Sequence, residues 1–313
     1  MSTKKIKIGI LGNVNLGYSW FYLTHKQGIE KNGHELFELD YKSNSLQVLK
    51  QKLIAAKCDI VYTHLTFHAS VYPTASVLQM YRDVNKVVDT KFIHTLNDAR
   101  KQDRYMEDLS DSMFMAFVGN RDCLESCRKS WKIPVYLSPY SSLCYDKMSK
   151  PVTDLAFKDP VFTGSPFSHN DRANFIRKLQ SIMKIKIFQT QSKNDLRNRT
   201  PELSASAKCI LGLCTGYDVD LYVDVRPFQY LGAGAFMIMR KFKNMDELIP
   251  DDLYISFDSY SESDAYFVKD QFEYWKKRDT IEIRKKAFDF IQQNHSCKVR
   301  IGEELRLIQE VNR

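Results

Sequence analysis

Apolar positions along the chain fall into short runs, separated by stretches whose apolar residues recur every three or four positions. Lys5–Leu11, Glu35–Leu39, Asp59–Leu65, Lys91–Leu96, Ser112–Val118 and Val135–Leu137 read as strands. Between them, Ser19–Lys31, Leu46–Ala56, Pro73–Arg82 and Arg121–Ser130 read as helices. Such alternation predicts a parallel sheet covered on both faces. It breaks over Ser138–Lys158, a serine-containing stretch with Pro139, Pro151 and no periodicity, which reads as a linker. The alternation then restarts. Val161–Thr163, Lys184–Phe188, Lys208–Leu213, Ala235–Met239 and Tyr254–Phe257 read as strands, with helices at Asp171–Met183 and from Asp224 to Leu231. No element is read between Phe188 and Lys208, and from Ser263 the pattern is helical to the end. The expected fold is α/β, with two Rossmann-like domains at residues 1–140 and 159–295 facing a cleft, and a closing helix at 296–313.

Ligands bind such sheets at the carboxyl ends of the strands, so the residues following each strand carry the candidate chemistry. The first strand runs into Gly12-Asn13 and a glycine-containing turn that opens a helix. Tyr18 stands where a phosphate-binding loop would need lysine, and the spacing is not GxGxxG. A backbone approach to substrate and a plain tight turn both fit it. After the fourth strand come Asn97-Asp98-Ala99-Arg100. Asp98 is a candidate general base on an acceptor hydroxyl and Arg100 a candidate phosphate partner, while Asn97-Asp98 also fits a helix cap.

In the second half, Gly164-Ser165 offers backbone N–H groups and a hydroxyl to a diphosphate. Arg172 follows with positive charge, although an arginine there also fits a solvated helix face. Over Tyr222–Met239, Asp224 and Pro227 fit a helix start aimed into the expected cleft. Arg226 and Gln229 lie within its first turn, placed to meet a phosphate or a ribose. Asp218-Val219-Asp220 is a DxD string among many acids, and no metal ligand is assigned to it.

Composition changes the picture modestly. The chain has 313 residues, 43% hydrophobic and 27% charged, which reads as an ordinary globular protein and not a disordered chain. Its net charge of +8 admits a polyanionic partner (DNA, a phosphorylated donor or an acidic surface) as well as plain lysine-rich helix faces. Lys101, Arg104, Lys129 and Lys132 are candidate phosphate contacts. Seven cysteines, an odd number without a CxxC pair, argue against a disulfide framework and for a reducing cytoplasm. Cys123 and Cys127 share a helix face and read as packed thiols. There is no secretory leader pattern and no run of about 18 apolar residues, so no membrane span is expected.

The string Arg226-Pro227-Phe228-Gln229-Tyr230-Leu231 with Gly234, the apolar strand Phe236–Met239, the loop Met245-Asp246-Glu247-Leu248-Ile249 and closing helices Phe267–Lys277 and Ile281–Asn294 resemble the CgeB-like glycosyltransferases of the GT-B superfamily. Asn32–Leu36, Asp122–Pro139, and Phe162-Thr163-Gly164 with Arg172 extend the resemblance over most of the chain, least over residues 40–90. It implies transfer of a sugar from a nucleotide-sugar co-substrate, foremost a UDP-sugar, with no metal or other cofactor required. It implies acceptor binding by the first domain and donor binding by the second, with Arg172 and Arg226 on the diphosphate. Gln229 stands where the family usually has a ribose-gripping glutamate, and Leu221 replaces a second usual glutamate. The compact, lysine- and asparagine-rich style resembles phage-type members, which adds a hydroxymethylated pyrimidine in DNA to the candidate acceptors. A surface polysaccharide, a protein acceptor, or a binding module without catalysis stay open as alternatives.

Overall fold

The computed structural model describes residues 5–12, 20–64, 71–96, 111–148, 157–167, 169–188, 193–215, 218–222 and 224–312, of which 193–199 as backbone. The chain divides into two compact units: Met1–Pro139 with Cys297–Arg313, and Tyr140–Ser296.

The first unit is built on six parallel strands, β1 (Lys7–Gly12), β2 (Glu35–Asp40), β3 (Ile60–Thr63), β4 (Lys91–Leu96), β5 (Met115–Val118) and β6 (Val135–Leu137), in the order β2-β1-β3-β4-β5-β6. Their near-continuous apolar runs are those of strands buried on both faces: Ile60, Val61 and Tyr62, like Phe92 and Ile93, have almost no exposed surface. The helices are α1 (Trp20–Lys31), α2 (Leu46–Ala56), α3 (Thr74–Asn85) and α4 (Arg121–Ser130). Helix α2 starts where the Ser45 hydroxyl accepts from the Val48 N–H, and α4 where Asn120 accepts from Cys123. The strand order reverses between β1 and β3, which makes their carboxyl ends the switch point of this sheet.

The second unit holds β7 (Val161–Thr163), β8 (Lys186–Phe188), β9 (Ile210–Gly212), β10 (Met237–Arg240) and β11 (Ile255–Phe257), all parallel, in the order β11-β10-β9-β7-β8. Its helices are α5 (Asn170–Ile182), α6 (Lys193–Ser206), α7 (Val225–Leu231), α8 (Glu262–Lys276) and α9 (Ile281–Asn294). The order reverses between β7 and β9. Those two strands are registered at Val161 and Ile210 alone, so their carboxyl ends are not paired with each other.

Three features depart from the sequence reading. Helix α6 occupies the stretch where no element is expected, with Pro201 inside it. Part of the expected linker is packed structure: the Ser142 N–H donates to the His295 carbonyl (2.8 Å), and Gln292 Nε2 donates to the Leu143 carbonyl (3.0 Å). The last helix, α10 (Cys297–Val311), belongs to the first unit, where it packs along α1. No described helix is long and apolar enough to cross a membrane.

Candidate functional site

The switch point of the second sheet is where buried charge accumulates. Strand β7 ends in Gly164-Ser165 and β9 in Leu213-Cys214. Arg172, in the first turn of α5, joins the two ends. Its Nη2 donates to the Ser165 carbonyl (2.7 Å) and its Nη1 to the Leu213 carbonyl (3.3 Å), with the guanidinium 5.8 Å from the Phe162 ring. Arg172 is only 4% exposed, so the structure replaces the alternative of a solvated helix arginine with a buried one. A charge so buried needs hydrogen-bond partners, and the two strand-end carbonyls supply them.

Arg226 enters the same place from α7. The helix is capped by Asp224, whose carboxylate accepts from the Arg226 N–H and also receives Arg226 Nη1 at 2.8 Å. Gly164 makes room for it. The glycine sits at φ +117°, and a Cβ there would lie 2.7 Å from Arg226 Nη2. An L side chain at this position would therefore be strained in backbone and would collide with the guanidinium. The Arg226 side chain keeps 20% of its surface exposed, enough to be reached from solvent.

The surroundings complete the electrostatics. Burial lowers the Arg172 pKa, and the neighbouring Arg226 charge lowers it further. Burial opposes the Arg226 charge too, but the Asp224 carboxylate outweighs it and holds that guanidinium above its ordinary range. Burial, followed by the Asp224 charge, pushes the Cys214 thiol up, so it stays neutral. Tyr260 donates its hydroxyl to the Cys214 carbonyl, and Arg240 stacks 4.4 Å from the Tyr260 ring centroid. Two guanidinium groups thus stand near one another at the ends of two strands, Arg226 on the Asp224 carboxylate and Arg172 on two backbone carbonyls. A guanidinium that solvent can reach, as Arg226 is, suits phosphate oxygens, with the buried Arg172 adding positive charge beside it.

No family model matches the sequence, and no curated protein matches it. Solved structures do. A glycosyltransferase from Rickettsia africae aligns with a TM-score of 0.62 at 11% identity over 99% of this chain and 100% of that one. The β-glucosyltransferase of phage T4 aligns at 0.61 and 12% identity over 97% and 99%. Anabaena Alr3699/HepE, solved with UDP and glucose, aligns at 0.60 and 11% identity over 96% and 100%. The chain has the GT-B glycosyltransferase fold.

Within this GT-B fold, Gly164, Ser165, Arg172, Asp224 and Arg226 come together at one strand-end site. Gln229 does not point there as a free amide: it is 8% exposed, and its Nε2 donates to the Thr200 hydroxyl on α6. Gly12 closes β1 in the other unit, where a Cβ would meet only ordinary contacts, the nearest 3.6 Å away. Asn13, Asp98, Arg100, Lys101 and Arg104 lie outside the described residues. Asp220 accepts from Asn244 Nδ2 (2.8 Å), and no group of three or more metal-type ligands occurs among the described residues. Cys214, Tyr260 and Arg240 are the contributors that sequence reasoning missed. Cys214 had a signal, since it directly follows an apolar strand, whereas Tyr260 and Arg240 reach the site only through tertiary packing.

Proposed function

We propose that this protein transfers a glycosyl group from a nucleoside-diphosphate sugar, foremost a UDP-sugar, to an acceptor hydroxyl. The bond between the sugar and the diphosphate breaks, a bond from the sugar to the acceptor oxygen forms, and the nucleoside diphosphate leaves. What carries the reading is the Arg172–Arg226 pair at the ends of β7 and β9, with Arg226 on Asp224 and Arg172 on two strand-end carbonyls. Cations fixed in place stabilise charge on the departing diphosphate without reorganising during the reaction. Asp98 takes the acceptor proton in this scheme. The narrower CgeB-like assignment rests on Arg226–Leu231 with Gly234 and belongs to the proposal.

Two observations support a UDP-sugar and a DNA acceptor. Fold neighbours include HepE in complex with UDP-glucose and the phage T4 β-glucosyltransferase, a DNA-modifying enzyme solved with uridine diphosphoglucose. The chain also carries a net charge of +8, which suits a polyanionic acceptor. A hydroxymethylated pyrimidine in DNA is therefore the proposed acceptor. Lys101 and Arg104 serve as phosphate contacts, and a cytoplasmic setting fits seven cysteines that no disulfide joins.

The test is transfer from a panel of radiolabelled nucleotide sugars to hydroxymethylated DNA, at rising salt. Transfer that declines with salt supports the reading, and transfer only to polysaccharide or protein replaces the acceptor. A second reading, a binding module without catalysis, is favoured by Gln229, whose amide is already engaged by Thr200. It predicts nucleotide-sugar binding in calorimetry with no turnover on any acceptor.

A further inference from the structure

In the first unit, away from the arginine site, a second set of buried ionisable groups converges. His25 of α1, Tyr62 of β3 and Glu304 of α10 are 5%, 0% and 3% exposed. His25 Nε2 stands 3.9 Å from Glu304 Oε2, and the Tyr62 and His25 rings are 4.8 Å apart. Ser138, in the segment after β6, donates its hydroxyl to Glu304 Oε1. On the acid's own helix, Arg300 Nη1 is 2.9 Å from Glu303, its close ion-pair partner.

The hydrogen bonds decide where the protons sit. His25 Nδ1 is 2.8 Å from the Phe21 carbonyl, which can only accept, so Nδ1 carries a proton. Nε2 of a neutral ring is then a bare acceptor, and it faces Oε2. Oε1 is the oxygen that accepts from Ser138. At 3.9 Å, Oε2 and Nε2 face each other beyond hydrogen-bond distance, so neither offers the other the bond that would support a charge. An imidazolium–carboxylate pair would bury two full charges 3.9 Å apart without a hydrogen bond between them, and desolvation at that depth outweighs the attraction even with Ser138, Arg300 and Tyr62 beside the acid.

The couple also sits at a mechanical junction. A Cβ at Gly28 of α1 would lie 2.5 Å from the Ile301 side chain and 2.6 Å from the Cys297 carbonyl, so α10 packs against bare backbone. Asn32 Nδ2 donates to the Lys298 carbonyl (2.9 Å). Glu304 is an ionisable contact in this attachment, as is the Cys297 thiol, which donates to Gln27 Oε1.

We propose that His25 and Glu304 form a neutral acid–imidazole couple, with the proton on Glu304, that fixes the last helix to the first unit and makes its attachment insensitive to mild acidification. Burial, offset in part by Ser138, then Arg300 and Tyr62, raises the Glu304 pKa from 4.5 to about 7. The hold on α10 through Glu304 is therefore full below 4.5 and weakens as pH rises toward 7. Burial, offset by the Phe21 bond, lowers the His25 pKa from 6.5 to about 4, so its contribution is full above 6.5 and weakens as pH falls. In the window between, the detached helix leaves one proton on the histidine and the attached helix leaves one on the glutamate. The proton counts match, and attachment does not change with pH.

The experiment is hydrogen exchange of the 297–311 amides in the full chain at pH 5 and pH 7, corrected for intrinsic exchange. Wild type is expected to show nearly constant protection. Removing His25 by His25→Gln leaves the glutamate limb, and protection should fall roughly 40-fold from pH 5 to pH 7. Glu304→Gln leaves the histidine limb, and protection should rise roughly 20-fold over the same span. Nitrogen-15 spectra of wild-type His25 at pH 6 should show a neutral ring protonated at Nδ1. An imidazolium spectrum, or a flat profile in His25→Gln, would overturn the proposal. Both readouts stand even if Glu304→Gln fails to fold.

Discussion

The two units bury charge in opposite ways. In the first, Glu304 accepts from Ser138 and lies beside His25 and Tyr62, all within the unit. In the second, Arg172 and Arg226 keep their charges under cover, Arg226 against the Asp224 carboxylate and Arg172 against the Ser165 and Leu213 carbonyls. Low dielectric penalises an ion without a partner, so the first arrangement settles as neutral groups while the second holds a standing excess of positive charge. A buried set that closes on itself holds a structure together. A buried pair of cations at two strand ends is where a ligand of opposite sign is proposed to bind.

The largest effect that could break this contrast is expected at Arg226. Arg226→Ala should lower donor turnover by roughly 100- to 1,000-fold, about 3–4 kcal/mol of lost stabilisation, while the melting temperature stays within a few degrees. Steady-state kinetics with the active nucleotide sugar measure it. Arg172→Met should act on both binding and folding. The Ser165 and Leu213 carbonyls would lose a charged donor, and urea denaturation should show about 3 kcal/mol of lost stability. Gly164→Ala adds strain at φ +117° and pushes on Arg226, so calorimetry should find donor affinity down about tenfold, with about 1–2 kcal/mol lost in stability.

The smallest effect sharpens the role of Asp224. As cap and counter-ion, it can be exchanged for asparagine with the cap kept and one negative charge removed. Asp224→Asn should therefore leave donor affinity unchanged or raise it several-fold. A tenfold loss would instead place Asp224 on the donor itself.

Much of the fold was legible because strands buried on both faces leave unbroken apolar runs, as in Ile60–Thr63 or Met237–Arg240. Helix α6 was not. Pro201 sits inside it, and its polar residues Lys193, Asn194, Asp195 and Arg197 give no apolar stripe to read. Missing α6 also hid Thr200, and with it the fact that Gln229 is engaged inside the unit. At the site, Arg226 was legible from its place at a capped helix start, and Gly164 from its place after a strand. The burial of Arg172 was not, because an arginine in a first turn looks the same whether it faces water or two strand-end carbonyls. Tyr260 and Cys214 meet across 46 residues of chain, a separation no local pattern encodes.

The most direct test of the central claim is calorimetric titration of the full chain with uridine, uridine monophosphate and uridine diphosphate, repeated with Arg226→Ala. If the paired arginines hold a diphosphate, affinity rises at least tenfold from monophosphate to diphosphate, and Arg226→Ala removes that gain. Equal affinity for all three, or a gain that survives in Arg226→Ala, would contradict it.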